Sequence, residues 1–365
     1  MQSIGIIGTG LAGLRCAAEL RAAGFTGTIY AWDAEGREPY DRPPLSKELF
    51  GDYEHPLADD GLGDLDELAV TVIPRAASTI GMDTTWRVDS ICVDALVIAT
   101  GASPHSNIAG AQVLYTVEDA RAISAAITPG SSVHIVGAGW IGTEIASAAS
   151  ERGARVRVWE ASEHFLNRTF HGTVDSVWGQ WFDDAGVEVT FDTAYPGGEC
   201  DILIQATGAR PNVDFLPFGL RSPRGAIVTN IDGQVCSDNG PIAGLYAVGD
   251  CADVVREKDG WRFGGHWTQA LSDAARAAAH LTGQPRPTTL DAPEVFSTQF
   301  GHEITLVGDI PAGGEPEHEE TRRGWVMRWN KIDEAGEPEL AALLAVDSPR
   351  EISKARKALR EPLRG

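Results

Sequence analysis

Apolar runs that close on glycine recur along this chain and set its organisation. Residues 3–33 read as a strand (Ser3 to Ile7), a glycine-rich turn, a helix from about Leu11 to Ala23 and a second strand ending at Asp33. Residues 131–160 repeat the scheme: a strand from Ser131 to Val136, a glycine-rich turn, a helix through Ser150, and a strand from Ala154 to Trp159 followed by Glu160. Each is a βαβ unit, the crossover from which parallel sheets are built. Two copies about 130 residues apart lie far beyond the period of a solenoid, and imply two nucleotide-type folds in one chain.

Each copy is followed by another apolar strand closing on glycine, Ala95 to Gly101 after the first and Asp201 to Gly208 after the second. A third, Leu245 to Val248, runs into Gly249-Asp250. A helix from about Thr268 to Leu281 stops at Gly283, and Pro285 and Pro287 mark a linker. Beyond it the pattern predicts strands near Glu303–Val307, Trp325–Trp329 and Leu340–Val346, then a basic helix from about Pro349 to Leu359. The expected fold class is therefore α/β, with two Rossmann-like dinucleotide-binding domains and a small C-terminal α+β domain. The first domain is expected to be discontinuous, residues 1–104 and 216–286, with the second at 105–215 and the third at 287–365.

Size and composition agree with this: 365 residues exceed one core, and 43% hydrophobic content with 41 glycines fits a turn-rich globular protein. A formal charge of −22 argues against nucleic acid and anionic membranes as partners. The five cysteines (Cys16, Cys92, Cys200, Cys236, Cys251) include no C-x-x-C pair, which removes dithiol chemistry, an intrinsic iron–sulfur cluster and a zinc site, and no metal is expected. Scattered thiols, and a start that enters an apolar strand without a basic leader, lead us to expect a cytoplasmic protein with no membrane helix.

The chemistry is carried by the turns. In Gly8-Thr9-Gly10-Leu11-Ala12-Gly13, glycine lets the turn fold tightly and the backbone approach a pyrophosphate, while the helix N-terminus offers free N–H groups to the anion. Asp33, about 20 residues on, stands where a carboxylate accepts hydrogen bonds from ribose hydroxyls. Gly137-Ala138-Gly139-Trp140-Ile141-Gly142 repeats the arrangement with Glu160 as its acid. A carboxylate there repels a 2′-phosphate, and Ala161-Ser162-Glu163 brings no arginine to neutralise one, so NADH is expected over NADPH. Thr207 and Gly208, at the end of the next strand, belong to the same NAD site. A nicotinamide set beside a second dinucleotide points to hydride transfer to a flavin.

Arg42-Pro43-Pro44-Leu45-Ser46-Lys47 closely resembles the R-P-P-L-S-K signature of the FAD-dependent ferredoxin reductases that serve oxygenases, relatives of putidaredoxin reductase and rubredoxin reductase. Val117-Glu118-Asp119-Ala120, Ala206 to Asn212, Val248 to Ala252 and Pro349-Arg350-Glu351 extend the likeness over nearly the whole chain. The resemblance implies a glutathione-reductase-like arrangement of the two nucleotide domains, with FAD in the first. It implies that Lys47 lies beside the flavin N5 edge and that Glu144, on the second glycine-rich helix, pairs with it. Arg42 would meet the FAD phosphates, Asp250 the ribityl chain, and Trp267 would open a helix against the flavin pyrimidine. Ala77, Thr100, Gly101, Gly249, His266 and Thr268 complete the expected FAD contacts, His266 as a polar capping residue rather than a catalytic acid.

The chain departs from the family at Asp33, where glutamate is usual, at Gly265, where glutamate is frequent, and at Phe296-Ser297-Thr298-Gln299, where Trp-Ser-Asp-Gln is typical. The implied activity is NADH-dependent reduction of a small iron–sulfur protein, a ferredoxin, by a monomer or weak homodimer. The C-terminal run Arg350, Lys354, Arg356, Lys357, Arg360 and Arg364 is a candidate docking patch, with a solvated helix face as the plain reading. An NADH oxidase or small-molecule reductase, or a flavin-bearing scaffold protein, would use the same motifs.

Overall fold

A computed structural model describes residues 1–217, 219–256, 260–333 and 336–362. Its helices are α1 (Leu11–Ala22), α2 (Pro44–Lys47), α3 (Val117–Ala126), α4 (Trp140–Glu151), α5 (Asn167–Phe170), α6 (Asp175–Asp184), α7 (Trp267–Thr282) and α8 (Pro349–Ala358). The predicted βαβ units form as read, to within a residue at most of their ends.

The first unit lies in a nine-stranded sheet. Strand Ser3–Ile7 runs parallel between Thr28–Trp32 and Ala95–Ile98, with Ile6 opposite Ala31 and Val97, and Gly240–Ala247 continues the parallel set beside Ala95–Ile98. Strands buried on both faces read as unbroken apolar runs, and Ile4, Ile6, Leu96, Val97 and Ile98 are at most 1% exposed. Each such side chain contributes about 1.5–3 kcal/mol by leaving water. One face packs on α1 and α7, through Leu20, Ala274 and Ala277, and the other carries Trp32, Trp86 and Leu245.

The second unit gives a four-stranded parallel sheet in the order Glu188–Thr190, Arg155–Trp159, Ser132–Val136, Ile202–Gln205. The chain enters and leaves this unit through two short strands, Ala102–Pro104 and Ala209–Pro211, paired antiparallel. The C-terminal sheet has five antiparallel strands, in the order Glu294–Gln299, His302–Gly308, Pro338–Val346, Trp325–Ile332, Glu317–Glu320, with α8 packed against it.

Three features lie outside the apolar pattern. Glu317–Glu320 is an edge strand exposed at every position. Glu294–Gln299 is a strand whose buried positions are polar: Glu294, Ser297 and Gln299. Residues 80–93 form a three-stranded meander, anchored by Asp89, which accepts hydrogen bonds from Ser78, Thr79 and the Trp32 indole. Burial opposes ionisation of Asp89, but those donors outweigh it and bring its pKa down to about 2. One hydrophobic cluster also spans the second nucleotide unit and the C-terminal sheet, joining Val133, Ile135, Trp178 and Phe182 to Leu306, Trp329, Ala342 and Leu344.

Candidate active site

Both glycine-rich turns open on one cleft of about 1770 Å³. A site for one small molecule commonly takes about 300–1000 Å³, so this cleft has room for more than one. Of the residues expected to hold the two cofactors, all line it except Gly13, Gly142 and Thr268.

The glycines divide into two kinds. Gly8 and Gly137 have φ of +103° and +108°, and a Cβ on them would meet the Ala99 or Ala206 carbonyl oxygen at 2.3 or 2.5 Å. A Cβ on Gly13 would come within 2.0 Å of the Gly8 oxygen, and one on Gly142 within 1.9 Å of the Gly137 oxygen. Those four let helix and strand approach. Gly10 and Gly139 are different: a Cβ there would meet nothing within 4 Å, and both residues line the cleft. They are the N-caps of α1 and α4, and neither helix is capped by a side chain. Free N–H groups facing an open concavity fit a diphosphate.

The acids at the next strand ends are held firmly. Asp33, 6% exposed, accepts from the Glu35 and Arg37 amides, both at 3.1 Å. Glu160 Oε2 accepts the Ala138 amide at 2.7 Å, and its Oε1 accepts the Ser162 amide and hydroxyl at 2.9 and 2.8 Å. Glu160 thereby ties the second glycine turn to its neighbouring strand.

An ion pair lines the same cleft. Lys47 Nζ lies 3.0 Å from Glu144 Oε1, with side-chain exposures of 19% and 3%. Lys47 ends α2, Glu144 lies on α4, and the Lys47 ammonium also stands 5.2 Å from the centre of the Phe296 ring on the C-terminal sheet. Residues from three parts of the chain thus converge on one charged pair at the cleft wall.

The far wall is the start of α7. Trp267 Nε1 donates to Asp41 at 2.9 Å, which fixes the indole. Thr268 Oγ1 is buried with no hydrogen-bond partner and does not reach the cleft. The His266 side chain does not cap the helix as expected: its Nδ1 stands 3.3 Å from the Glu294 carbonyl, and burial pushes its pKa below the usual value. Burial pushes the pKa of Asp250 up, against the opposing charge of Arg224. Arg224 also bonds the Asp250 carbonyl at 3.1 Å and Asp253 at 2.7 Å, which pins the Gly-Asp turn.

Arg42 lines the cleft, but its guanidinium is engaged by Glu35, the Tyr115 carbonyl and the Tyr40 hydroxyl. Arg168, which no motif marks, also lines the cleft, close enough that a Cβ on Gly208 would lie 3.2 Å from its Nη1. It puts a cation near Thr207-Gly208, opposite in sign to a dinucleotide phosphate. The basic C-terminal run is mostly neutralised: Arg356 pairs with Glu294, Lys354 with Glu351 and Arg360 with Asp291. Arg350 and Lys357 make no ion pair among the described residues, and Arg364 lies outside them.

Residues 2–278 match the family described as pyridine nucleotide-disulphide oxidoreductase. The chain belongs to that family. Its five cysteines are all free, so this member of the pyridine nucleotide-disulphide oxidoreductases has no disulphide of its own. Among curated proteins, it is 30% identical to the ferredoxin reductase component of chlorobenzene dioxygenase from Cupriavidus sp. (strain PS12), over 96% of this chain and 91% of that one. It is 28% identical to the ferredoxin--NAD(+) reductase subunit of the benzene 1,2-dioxygenase system of Pseudomonas putida, over 97% and 91% of the two chains. Its fold is that of putidaredoxin reductase in a covalent complex with putidaredoxin, with a TM-score of 0.84 at 22% identity, covering 98% of this chain and 93% of that one. Among the described residues no helix is long and apolar enough to cross a membrane, and no cluster of side chains could hold a metal ion.

Proposed function

We propose that this chain is an FAD-dependent NADH:ferredoxin oxidoreductase that feeds electrons to an oxygenase. The observation that carries the proposal is the pair of uncapped, glycine-cornered helix ends opening on one cleft, with the Lys47–Glu144 pair lining the same cleft. The two relatives described above are named as ferredoxin reductases of dioxygenase systems, which supports the acceptor class.

Gly8, Gly10, Leu11, Ala12 and Gly13 would shape the FAD diphosphate site, with Asp33 on the ribose and Asp250 and the start of α7 (His266, Trp267, Thr268) around the flavin. Gly137, Gly139, Trp140, Ile141 and Gly142 would cradle NADH, with Glu160 on its ribose and Arg168 near its phosphates. FAD, when bound, would supply an acceptor for one hydride, that is two electrons and a proton, that can be reoxidised one electron at a time with the proton returned to solvent. The protein's share is to bind, orient and exclude water, and to keep the Lys47 ammonium facing the cleft beside its counter-ion.

The acceptor in this reading is a small iron–sulfur protein. With −22 overall and Lys354, Arg356 and Arg360 of the basic C-terminal run paired within the chain, long-range attraction is weak, and short-range contacts carry docking in this reading. The division into residues 1–104 with 216–286, 105–215 and 287–365 belongs to this proposal. The separate sheets support it, and one apolar cluster joins the last two units to Tyr40, Leu45 and Leu49 of the first. A cytoplasmic monomer or weak homodimer completes the reading, in keeping with the free cysteines.

The test is reduction of cytochrome c by NADH with the purified flavoprotein, with and without an added ferredoxin from an aromatic-ring dioxygenase system. The expected result is turnover that rises with ferredoxin to saturation. Full turnover without ferredoxin would contradict the proposal and favour an oxidase or small-molecule reductase.

A further inference from the structure

The Lys47–Glu144 pair is backed by polar side chains to which neither glycine-rich fingerprint assigns a role. Glu144 Oε1, the oxygen facing Lys47, accepts the Ser297 hydroxyl at 2.5 Å. Glu144 Oε2 accepts the Ser46 hydroxyl. The Gln299 side-chain amide stands behind Ser297, its Nε2 2.9 Å from Ser297 Oγ, and the Trp178 indole Nε1 stands 2.9 Å from Gln299 Oε1. All of it is dry: Glu144 is 3% exposed, Ser297 4%, and Gln299 and Trp178 0%.

The chemistry of these groups allows one direction only. An indole N–H donates and cannot accept, so the Gln299 atom facing Trp178 must be the oxygen. The Gln299 NH₂ therefore faces Ser297 and donates to its oxygen. Ser297 has a single hydrogen, which is left to point at Glu144. A donor fixed at one end of the chain thus presents a hydroxyl hydrogen to the carboxylate at the other, and holds that carboxylate in a set orientation.

We propose that Trp178, Gln299 and Ser297 are positioning residues: a one-way hydrogen-bond chain that orients Glu144 and, through it, the Lys47 ammonium in the cleft. The inference rests on the reading of that cleft as the flavin site. It gives the C-terminal sheet a part in hydride transfer, because Ser297 and Gln299 are inward residues of its first strand. It also accounts for polar side chains at two of that strand's three buried positions, Ser297 and Gln299.

The test compares Ser297→Ala and Gln299→Met, the second close in volume to the native residue, with wild type. The first readout is stopped-flow reduction of the bound flavin by NADH. The rate constant should fall about tenfold in each variant, the scale of one charge-assisted hydrogen bond, while the NADH dissociation constant stays within about twofold. The second readout needs no cofactor: acetylation of Lys47 in the apoprotein, read by mass spectrometry against Lys331, whose side chain is 51% exposed. A loosened ion pair should raise Lys47 labelling roughly threefold. Thermal unfolding shows that each variant is folded. A reduction rate within twofold of wild type in both variants, or Lys47 labelling unchanged in both, would overturn the proposal. A wild-type protein that takes up no FAD would overturn the underlying reading instead, and is seen in its absorbance before any variant is made.

Discussion

A Gly10→Val variant should purify as a folded but colourless protein, while Gly139→Val should purify yellow and resist reduction by NADH. The two glycines are equivalent in their folds: each is an N-cap, and each has clear space where a Cβ would go. A Cβ at either place meets nothing in the protein within 4 Å, so the folded state should survive the substitution. It does fill the concavity at an uncapped helix end and displaces the diphosphate from the N–H groups. Losing that seat should cost at least about a thousandfold in affinity, some 4 kcal/mol, for the dinucleotide concerned and leave the other unaffected. Flavin absorbance and a stopped-flow trace with NADH check both halves. Gly13→Val is the contrast, because its Cβ would fall 2.0 Å from the Gly8 oxygen and disturb the fold itself. A yellow, reducible Gly10→Val protein would mean that the first turn does not hold the flavin.

Breaking the buried ion pair from its two ends should have unequal effects. Lys47→Met leaves the Glu144 carboxylate without its counter-ion at 3% exposure, a situation that costs about 3–5 kcal/mol. Glu144→Gln leaves Lys47, which at 19% exposure still reaches the cleft, so the loss is smaller. The apoprotein of Lys47→Met should therefore unfold several degrees lower than that of Glu144→Gln. In flavin reduction, Lys47→Met removes the cation at the cleft wall and should slow the step about a hundredfold, the scale of one preorganised electrostatic group. Calorimetry of the apoproteins and stopped-flow reduction of the holoproteins check the two claims. A Glu144→Gln apoprotein less stable than Lys47→Met would show that the charge balance has been read the wrong way round.

What could be read from the chain beforehand was what depends on local spacing. The βαβ units, the glycine turns and their acids are set by residues within about 30 positions of one another, and α1, predicted from Leu11 to about Ala23, spans Leu11–Ala22. Strand Glu294–Gln299 could not be read from an apolar pattern, because its buried residues answer polar partners far away in sequence: Ser297 bonds Glu144, Gln299 bonds Trp178 and Glu294 pairs with Arg356. Glu317–Glu320 had no pattern to read, since an edge strand exposed at every position need not alternate. The basic C-terminal run looked like a docking patch because its partners Asp291 and Glu294 lie more than 60 residues upstream, and composition carries no pairing. Arg168 was missed for a related reason: it stands on a single-turn helix between two left-handed residues, Leu166 and His171, and belongs to no fingerprint. The single core shared by the second nucleotide unit and the C-terminal sheet was equally hidden, since each segment is apolar for its own fold and nothing local says that the two faces meet.

The most direct trial of the whole account is an anaerobic titration of the wild-type protein, reconstituted with FAD, against NADH. It should bind about one FAD per chain, and its yellow band should bleach with about one equivalent of NADH, far faster than with NADPH. A protein that retains no FAD, or a bound flavin that NADH leaves oxidised, would contradict it.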